Sequence, residues 1–368
     1  MTNCGSFSPW RRRLTKPRVL SAGDRVAIVT PSWGGPACFP HRFNAGMRVL
    51  AEEFGLDAVV MPNACKPADW LDRNPEARAD DVMRAFADPS ISAVIASIGG
   101  DDSVRLIPWL DPRVIAENPK AFIGYSDATV LHFACLKAGV TSFYGPTVMA
   151  GFAENGGMHE LTKAALRRIL FSTSAPGPLP RNTEGWTDER LDWADPANQT
   201  RKRRLNAPGP PRLWQGSGRV RGPLIGGCAE VLEMIKGTEL WPPLHRWDGV
   251  ILFYETSEEA PPPSLVARWL RSYGAQGILA RIAGLIVGRP GGGVAPTRHD
   301  EYGAAIARVL GEYDAGHLPL ITGLDFGHTD PMTVLPFGIE AEVDCDAVSV
   351  SLVEGAVTDR APLAEGRA

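Results

Sequence analysis

The chain has 368 residues, 44% of them hydrophobic and 22% charged, with a formal charge of -4. That length predicts two domains with ample core, and the balance is that of an ordinary globular protein with no general attraction for nucleic acid phosphates. No run of about 18 uninterrupted apolar residues occurs, which argues against a membrane-spanning helix.

At the N-terminus, Arg11, Arg12 and Arg13 are not followed by the apolar stretch that a secretory or twin-arginine signal needs, so a cytoplasmic protein is expected. The six cysteines, Cys4, Cys38, Cys65, Cys135, Cys228 and Cys345, form no C-x-x-C pair and have no close histidine. They read as reduced thiols, mostly buried, rather than as a zinc site or a disulfide framework.

From Asp24 to about Thr173, short apolar runs alternate with helical patterns. DRVAIVTPS, DAVVMP, ISAVIASIGG, KAFIGY and VTSFYGP read as strands, and RFNAGMRVLAEEFG, EARADDVMRAFADP, DATVLHFACLKAG and HELTKAALRRILF as helices. Continuous apolar strands separated by helices predict a parallel sheet covered on both faces, with sites at the carboxyl ends of its strands. This N-terminal α/β domain is expected to span residues 1–173. Residues 174–219 are rich in proline, carry Trp186, Trp193, Trp214 and the basic cluster Arg201 to Arg204, and lack periodicity. Their aromatics favour a structured, substrate-facing loop over a floppy linker. Residues 220–368 form the expected second domain of mixed α/β character: CAEVLEMIKG, SLVARWLRSYG and DEYGAAIARVLGEY as helices, GVILFYE, AGLIVGRP and LPLITGLDFG as strands, and a terminal hairpin over IEAEVDCDAVSVSLVEGAVTD.

Several residues at predicted strand ends could carry chemistry. Ser126 follows KAFIGY and precedes a helical pattern. It is either the N-cap of that helix or a nucleophile with the Asp127 amide as oxyanion donor. His132 lies about 240° around the helix from Ser126 and is expected to pack. His328 stands just past an apolar strand, after a glycine, either as a turn residue or as a base. Glu255 ends a buried strand and suits orienting an imidazole, whereas Glu258 and Glu259 belong to an exposed turn and are expected to be solvated. Gly100 in SIGGDDS either makes a tight turn or supplies a second oxyanion amide. GSGRVRG has the wrong spacing for a dinucleotide fingerprint, and no H-E-x-x-H or similar pair supports a metal site.

IGGDDS, GYSD, YGP, GPLIGG, LFYETSEE, LIVGR and DFGHTDP, in that order, together resemble the LD-carboxypeptidase family of serine peptidases over about residues 23–340. The resemblance implies a Rossmann-like N-terminal domain, a C-terminal domain containing a small barrel, and a homodimer that needs no cofactor or metal. It also implies a Ser126, Glu255, His328 triad with the Gly100 and Asp127 amides as oxyanion donors. ETSEE and IGGDDS look like the MccF-like branch, which cleaves an aminoacyl group from a modified nucleotide. That makes Asp101, Trp186 and Trp193 candidate substrate contacts, a tryptophan stacking on the base and arginine or lysine meeting the phosphate. The alternatives are a cytoplasmic murein tetrapeptide carboxypeptidase, acting on a short peptide, and a non-catalytic aminoacyl-nucleotide-binding protein. Related sequences often carry asparagine where this chain has Cys228. A thiol hydrogen-bonds poorly, so altered substrate recognition is expected there.

Overall fold

The computed structural model describes residues 9, 10 and 13–359, so Cys4, Arg11 and Arg12 lie outside the described residues. The first sheet is built from β1 (Arg25–Val29), β2 (Asp57–Val60), β3 (Ala93–Ala96), β4 (Ala121–Gly124) and β5 (Phe143–Tyr144). These five are parallel, in the order β5-β4-β3-β1-β2. RVAIV, AVIA and AFIG are buried along nearly their whole length, the pattern of strands covered on both faces. Helix Thr129–Ala138 is buried all round except at Lys137, which explains its weak amphipathicity in sequence.

The second sheet takes β6 (Gly177–Pro178), β7 (Arg212–Gln215), β8 (Arg219–Cys228), β9 (Ile251–Glu255), β10 (Gly284–Gly288) and β11 (Leu320–Leu324). β12 (Leu335–Pro336) returns to the first sheet, where it pairs antiparallel with β5. β13 (Glu340–Asp344) and β14 (Ser349–Leu352) form the terminal hairpin that the alternating pattern predicts. Strand order is β6-β14-β13-β8-β9-β10-β11-β7, with β8 to β11 parallel and the flanking strands antiparallel.

The small barrel expected for this half is not found among the described residues. β6 pairs only with β14 and β7 only with β11, so the sheet stays open at both ends. Its two parts are joined through β8, whose residues 219–223 pair with β13 and whose residues 224–228 pair with β9. Among the described residues no helix is long and apolar enough to cross a membrane. The five cysteines among the described residues are free; Cys135, Cys228 and Cys345 are buried, whereas Cys38 and Cys65 are exposed.

The two sheets present their carboxyl ends to each other. On β9, side chains alternate in direction. Phe253 packs against Tyr144 of the first sheet, while Tyr254 turns toward Tyr273 on helix Pro263–Ala275. Period two therefore sends Glu255 the same way as Phe253, toward the end of β5.

Candidate active site

Ser126 caps no helix. It opens a single 3-10 turn, Ser126–Ala128, ahead of helix Thr129–Ala138, and no side-chain cap bond is made at either start. Its φ is +61°, a left-handed conformation that a non-glycine residue adopts only where the surroundings enforce it. The consequence is an Oγ turned outward, 2.9 Å from Nε2 of His328. Nδ1 of His328 lies 2.7 Å from Oε2 of Glu255. A carboxylate only accepts, so Nδ1 carries the proton in that bond. Three residues, from the turn after β4, the end of β9 and the turn after β11, thus form one hydrogen-bonded line. His132, expected to pack, is buried; its Nε2 is 2.9 Å from the Gly124 carbonyl and its Nδ1 2.8 Å from Ser142 Oγ, bracing the end of β4. Burial pushes it down to about 3, so it stays neutral.

The turn after β11 requires glycine before His328. Gly327 has φ +93°, and a β-carbon there would stand 2.5 Å from Oε2 of Glu255. Glu255 is wholly buried, and its other oxygen accepts from the Tyr144 hydroxyl. The same hydroxyl accepts the Ser126 backbone N–H at 3.1 Å. Burial first, then Glu255, raises Tyr144 well above its ordinary value, which keeps it a donor. Tyr144 thereby ties the nucleophile's backbone to the acid. Sequence reasoning missed it, although it stands in the YGP motif. Tyr144→Phe should lower kcat about tenfold, the size of one hydrogen bond to a charged group. Steady-state kinetics with unchanged kcat would remove Tyr144 from the site.

The Asp127 side chain is buried and works as a clasp. Its Oδ2 accepts from Ser32 Oγ at 2.5 Å, Ser103 N at 2.8 Å and Asp102 N at 3.1 Å. These bonds fasten the loop after β3 beside the nucleophile, where a β-carbon on Gly99 would approach Ser126 Oγ to 3.0 Å. Burial raises the Asp127 carboxyl and the serine bonds oppose it. Gly100, at φ +153°, sits so close to Ser32 that a β-carbon would stand 2.1 Å from its Oγ. Asp102 is gripped by the fully buried Arg78 side chain at 2.8 and 2.9 Å, whereas Asp101 is exposed at the cleft.

The line of three opens into a cleft of about 610 Å³. Gly100, Asp101, Ser126, Trp193 and His328 line it. Arg42 covers one face of Trp193 at 4.0 Å, and Phe39 meets its edge. Trp186 is elsewhere: it is buried and lines a separate cavity of about 210 Å³ with His299 and Arg289. Cys228, buried at the end of β8, pairs in register with Glu255 and donates its S–H to Glu230 at 3.3 Å. Sulfur, carboxylate and imidazole donors of Cys228, Glu255 and His328 lie within 4.8 Å of one another, but the imidazole and carboxylate are already bonded to each other.

Trp33 and Glu258 are among the cleft residues that were not read as site residues. Trp33, 40% exposed, follows β1, and a large aromatic left open at the carboxyl end of a parallel strand was the available signal. Glu258 is exposed, as expected, and also lies 3.1 Å from Nε2 of His328. In the basic cluster, Arg203 turns inward and pairs with both Glu154 and Asp330 at 2.5 and 2.6 Å.

Models of the LD-carboxypeptidase N-terminal and C-terminal domains match residues 26–145 and 221–343. The chain belongs to the LD-carboxypeptidase family. It is therefore a serine-peptidase-type hydrolase, and its neighbours lie in the MccF-like branch. The microcin C7 self-immunity protein MccF of Escherichia coli is 28% identical over 348 residues, covering 91% of this chain and 94% of that protein. A structure of an MccF-like protein from Streptococcus pneumoniae in complex with AMP superposes with a TM-score of 0.79 at 31% identity, covering 89% of this chain and 98% of the other. MccF in complex with aspartyl sulfamoyl adenosine gives a TM-score of 0.81 at 28% identity, covering 94% of this chain and all (100%) of the other.

Proposed function

We propose that this LD-carboxypeptidase family member hydrolyses the amide-type bond between an aminoacyl or peptidyl group and a modified nucleotide, through an acyl-enzyme on Ser126. The observation that carries the reading is the unbroken contact from Ser126 Oγ through His328 to the buried Glu255. His328 takes the serine proton, Ser126 attacks the acyl carbon, and the Gly100 and Asp127 amides receive the oxyanion. Glu255 holds the proton on Nδ1, and water then releases the acyl group. The Asp127 carboxylate has a second task, holding the loop that carries Gly100.

The nucleotide side of the reading rests on the aromatic wall of the cleft and on relatives whose structures hold AMP and aspartyl sulfamoyl adenosine. Trp33, 40% exposed, offers surface for a purine, with Trp193 lining the same cleft. Trp186 has no part in this, because its ring lines the other cavity. Phosphate recognition falls to Arg190, exposed in the cleft, since Arg203 is already shared between two carboxylates and Arg42 is buried on the Met149 carbonyl and Asn155.

The test is product analysis by mass spectrometry after parallel incubation with an aminoacyl-phosphoramidate nucleotide and with a murein tetrapeptide. Cleavage of the nucleotide conjugate is expected. Release of D-alanine from the tetrapeptide alone would overturn the substrate assignment, and turnover of neither would overturn the hydrolytic one.

A further inference from the structure

Two groups compete for one nitrogen in this site. Nε2 of His328 lies 2.9 Å from Ser126 Oγ and 3.1 Å from Oε2 of Glu258. A carboxylate oxygen 3.1 Å from Nε2 is favourable only beside a protonated imidazole, so the Glu258 contact favours a proton on Nε2 in addition to the one Nδ1 carries for Glu255. The electrostatics agree with the geometry. Burial would lower His328, but Glu255 and Glu258 outweigh it and hold the imidazole up at about 10. The bond to His328 in turn holds the Glu258 carboxyl down at about 2. A doubly protonated imidazole has no lone pair for the serine proton, so the three groups are assembled but not ready.

We propose that Glu258 is a gating and specificity residue: it keeps His328 from Ser126 until an ammonium group carried by the substrate beside its scissile carbonyl draws the Glu258 carboxylate away. This deepens the hydrolase reading above and rests on it. The exchange conserves charge, because one cation replaces another at Glu258 and the Nε2 proton passes to water. Nε2 is then free to accept the Ser126 proton. A neutral group would leave Glu258 in place, and an anionic one would be repelled.

The surrounding groups favour a substrate cation over a protein one. The charged and titratable groups nearest His328 are Glu255 and Cys228 at strand ends, Glu258 on the loop after β9, Tyr125 with its ring 5.0 Å away, and Asp330 two residues on, paired with Arg203. Arg42 is turned to the Met149 carbonyl and Asn155. Arg190 reaches Glu258 only at 3.9 Å and is 69% exposed. No lysine lines the cleft among the described residues, while Asp188 and Glu259 add carboxylates to its lining. Glu258 is itself 48% exposed, open to an incoming group. The α-amino group of an aminoacyl substrate has the required charge and stands one carbon from the carbonyl.

The experiment compares an aminoacyl-phosphoramidate nucleotide bearing a free α-amino group with its N-acetyl twin, in wild type and Glu258→Gln, as kcat/KM against pH. Wild type should prefer the free amine at neutral pH by about tenfold or more, the range of a charge-assisted hydrogen bond. In the variant that preference should vanish, and the acidic limb for the N-acetyl twin should move to lower pH, because one of the two carboxylates raising His328 is gone. An unchanged preference with an unmoved limb overturns the gate alone. Cleavage of neither twin by wild type overturns the hydrolase reading and the gate with it. A readout independent of turnover is NMR titration of the His328 ring in Ser126→Ala, with and without Glu258→Gln, and with alaninamide as a cationic probe. The ring should stay doubly protonated through neutral pH with Glu258 present, and lose its proton at lower pH when Glu258 is replaced or alaninamide is added. Identical titrations in all three overturn the gate.

Discussion

Ser126→Ala is expected to bind an aminoacyl-nucleotide conjugate and leave it intact, with kcat reduced by about a million-fold, the scale at which a serine hydrolase loses its nucleophile. The substitution removes one oxygen and nothing else from the site. The backbone that gives Ser126 its φ of +61° is held by neighbours the change does not touch: the Tyr144 hydroxyl on the Ser126 N–H, Thr129 Oγ1 on the Ser126 carbonyl, and the Asp127 clasp on the loop after β3. The cleft walls, Trp33, Phe39 and Trp193 among them, are equally untouched. Affinity should therefore survive, which separates loss of chemistry from loss of the site. Binding by calorimetry and single-turnover product analysis make the comparison. Turnover near that of the wild type would remove Ser126 as nucleophile, and loss of both binding and turnover would point to a damaged fold instead.

The parallel core was legible because it is written in continuous apolar runs. RVAIV, AVIA, AFIG and ILFYE are short, β-branched or aromatic apolar runs set between helical patterns, and their length points to strands buried on both faces. β8 was not legible. RVRGPLIGGC begins with alternating arginines and contains Pro223 and three glycines, and it is a strand because two different partners share its halves. β12 is only Leu335 and Pro336, too short to carry a pattern, yet it completes the edge of a sheet nearly two hundred residues upstream. The barrel was expected from the family resemblance and not from any local pattern, and the sheet instead stays open because β6 pairs only with β14 and β7 only with β11.

For the site, single positions were ambiguous and their order was not. Ser126 alone reads more readily as a cap, and its hydroxyl's bond to a histidine 202 positions away distinguishes the two. Trp186 and Trp193 share one loop and one composition, and seven residues of chain send the first into a separate cavity and the second into the cleft. Glu258 was read as solvated because two glutamates before a run of prolines have the composition of an exposed turn. It is exposed as read, and the chain reversal between β9 and helix Pro263–Ala275 also brings it onto His328.

Glu255→Gln should be nearly as damaging as loss of the nucleophile, and for a reason specific to this site. The amide matches the carboxylate in size, so packing is kept, but its two ends are no longer alike. Tyr144 accepts the Ser126 N–H and donates its own proton to Oε1 of Glu255. With that donor fixed, the amide oxygen belongs on the Tyr144 side, which turns the NH₂ toward Nδ1 of His328. Nδ1 must then accept, the ring proton moves to Nε2, and the nitrogen facing Ser126 can no longer take its proton. A fall in kcat of about 10⁴-fold follows, the scale of a triad locked in the wrong tautomer. Stability gives a second signature. His328 is held up at about 10, with Glu255 the largest of the groups that raise it. A raised folded value adds stability that is full below the unfolded value and is lost as pH rises through the folded one. The variant should accordingly be less stable than wild type at neutral pH, with the gap narrowing as pH approaches about 10, measured as urea midpoints across that range. Full activity, or a stability gap that does not depend on pH, would show that Glu255 does not govern His328. Pairing Glu255→Gln with Tyr144→Phe separates the two contributions: once the tyrosine donor is gone, the amide is free to turn its oxygen toward Nδ1, and part of the lost activity should return.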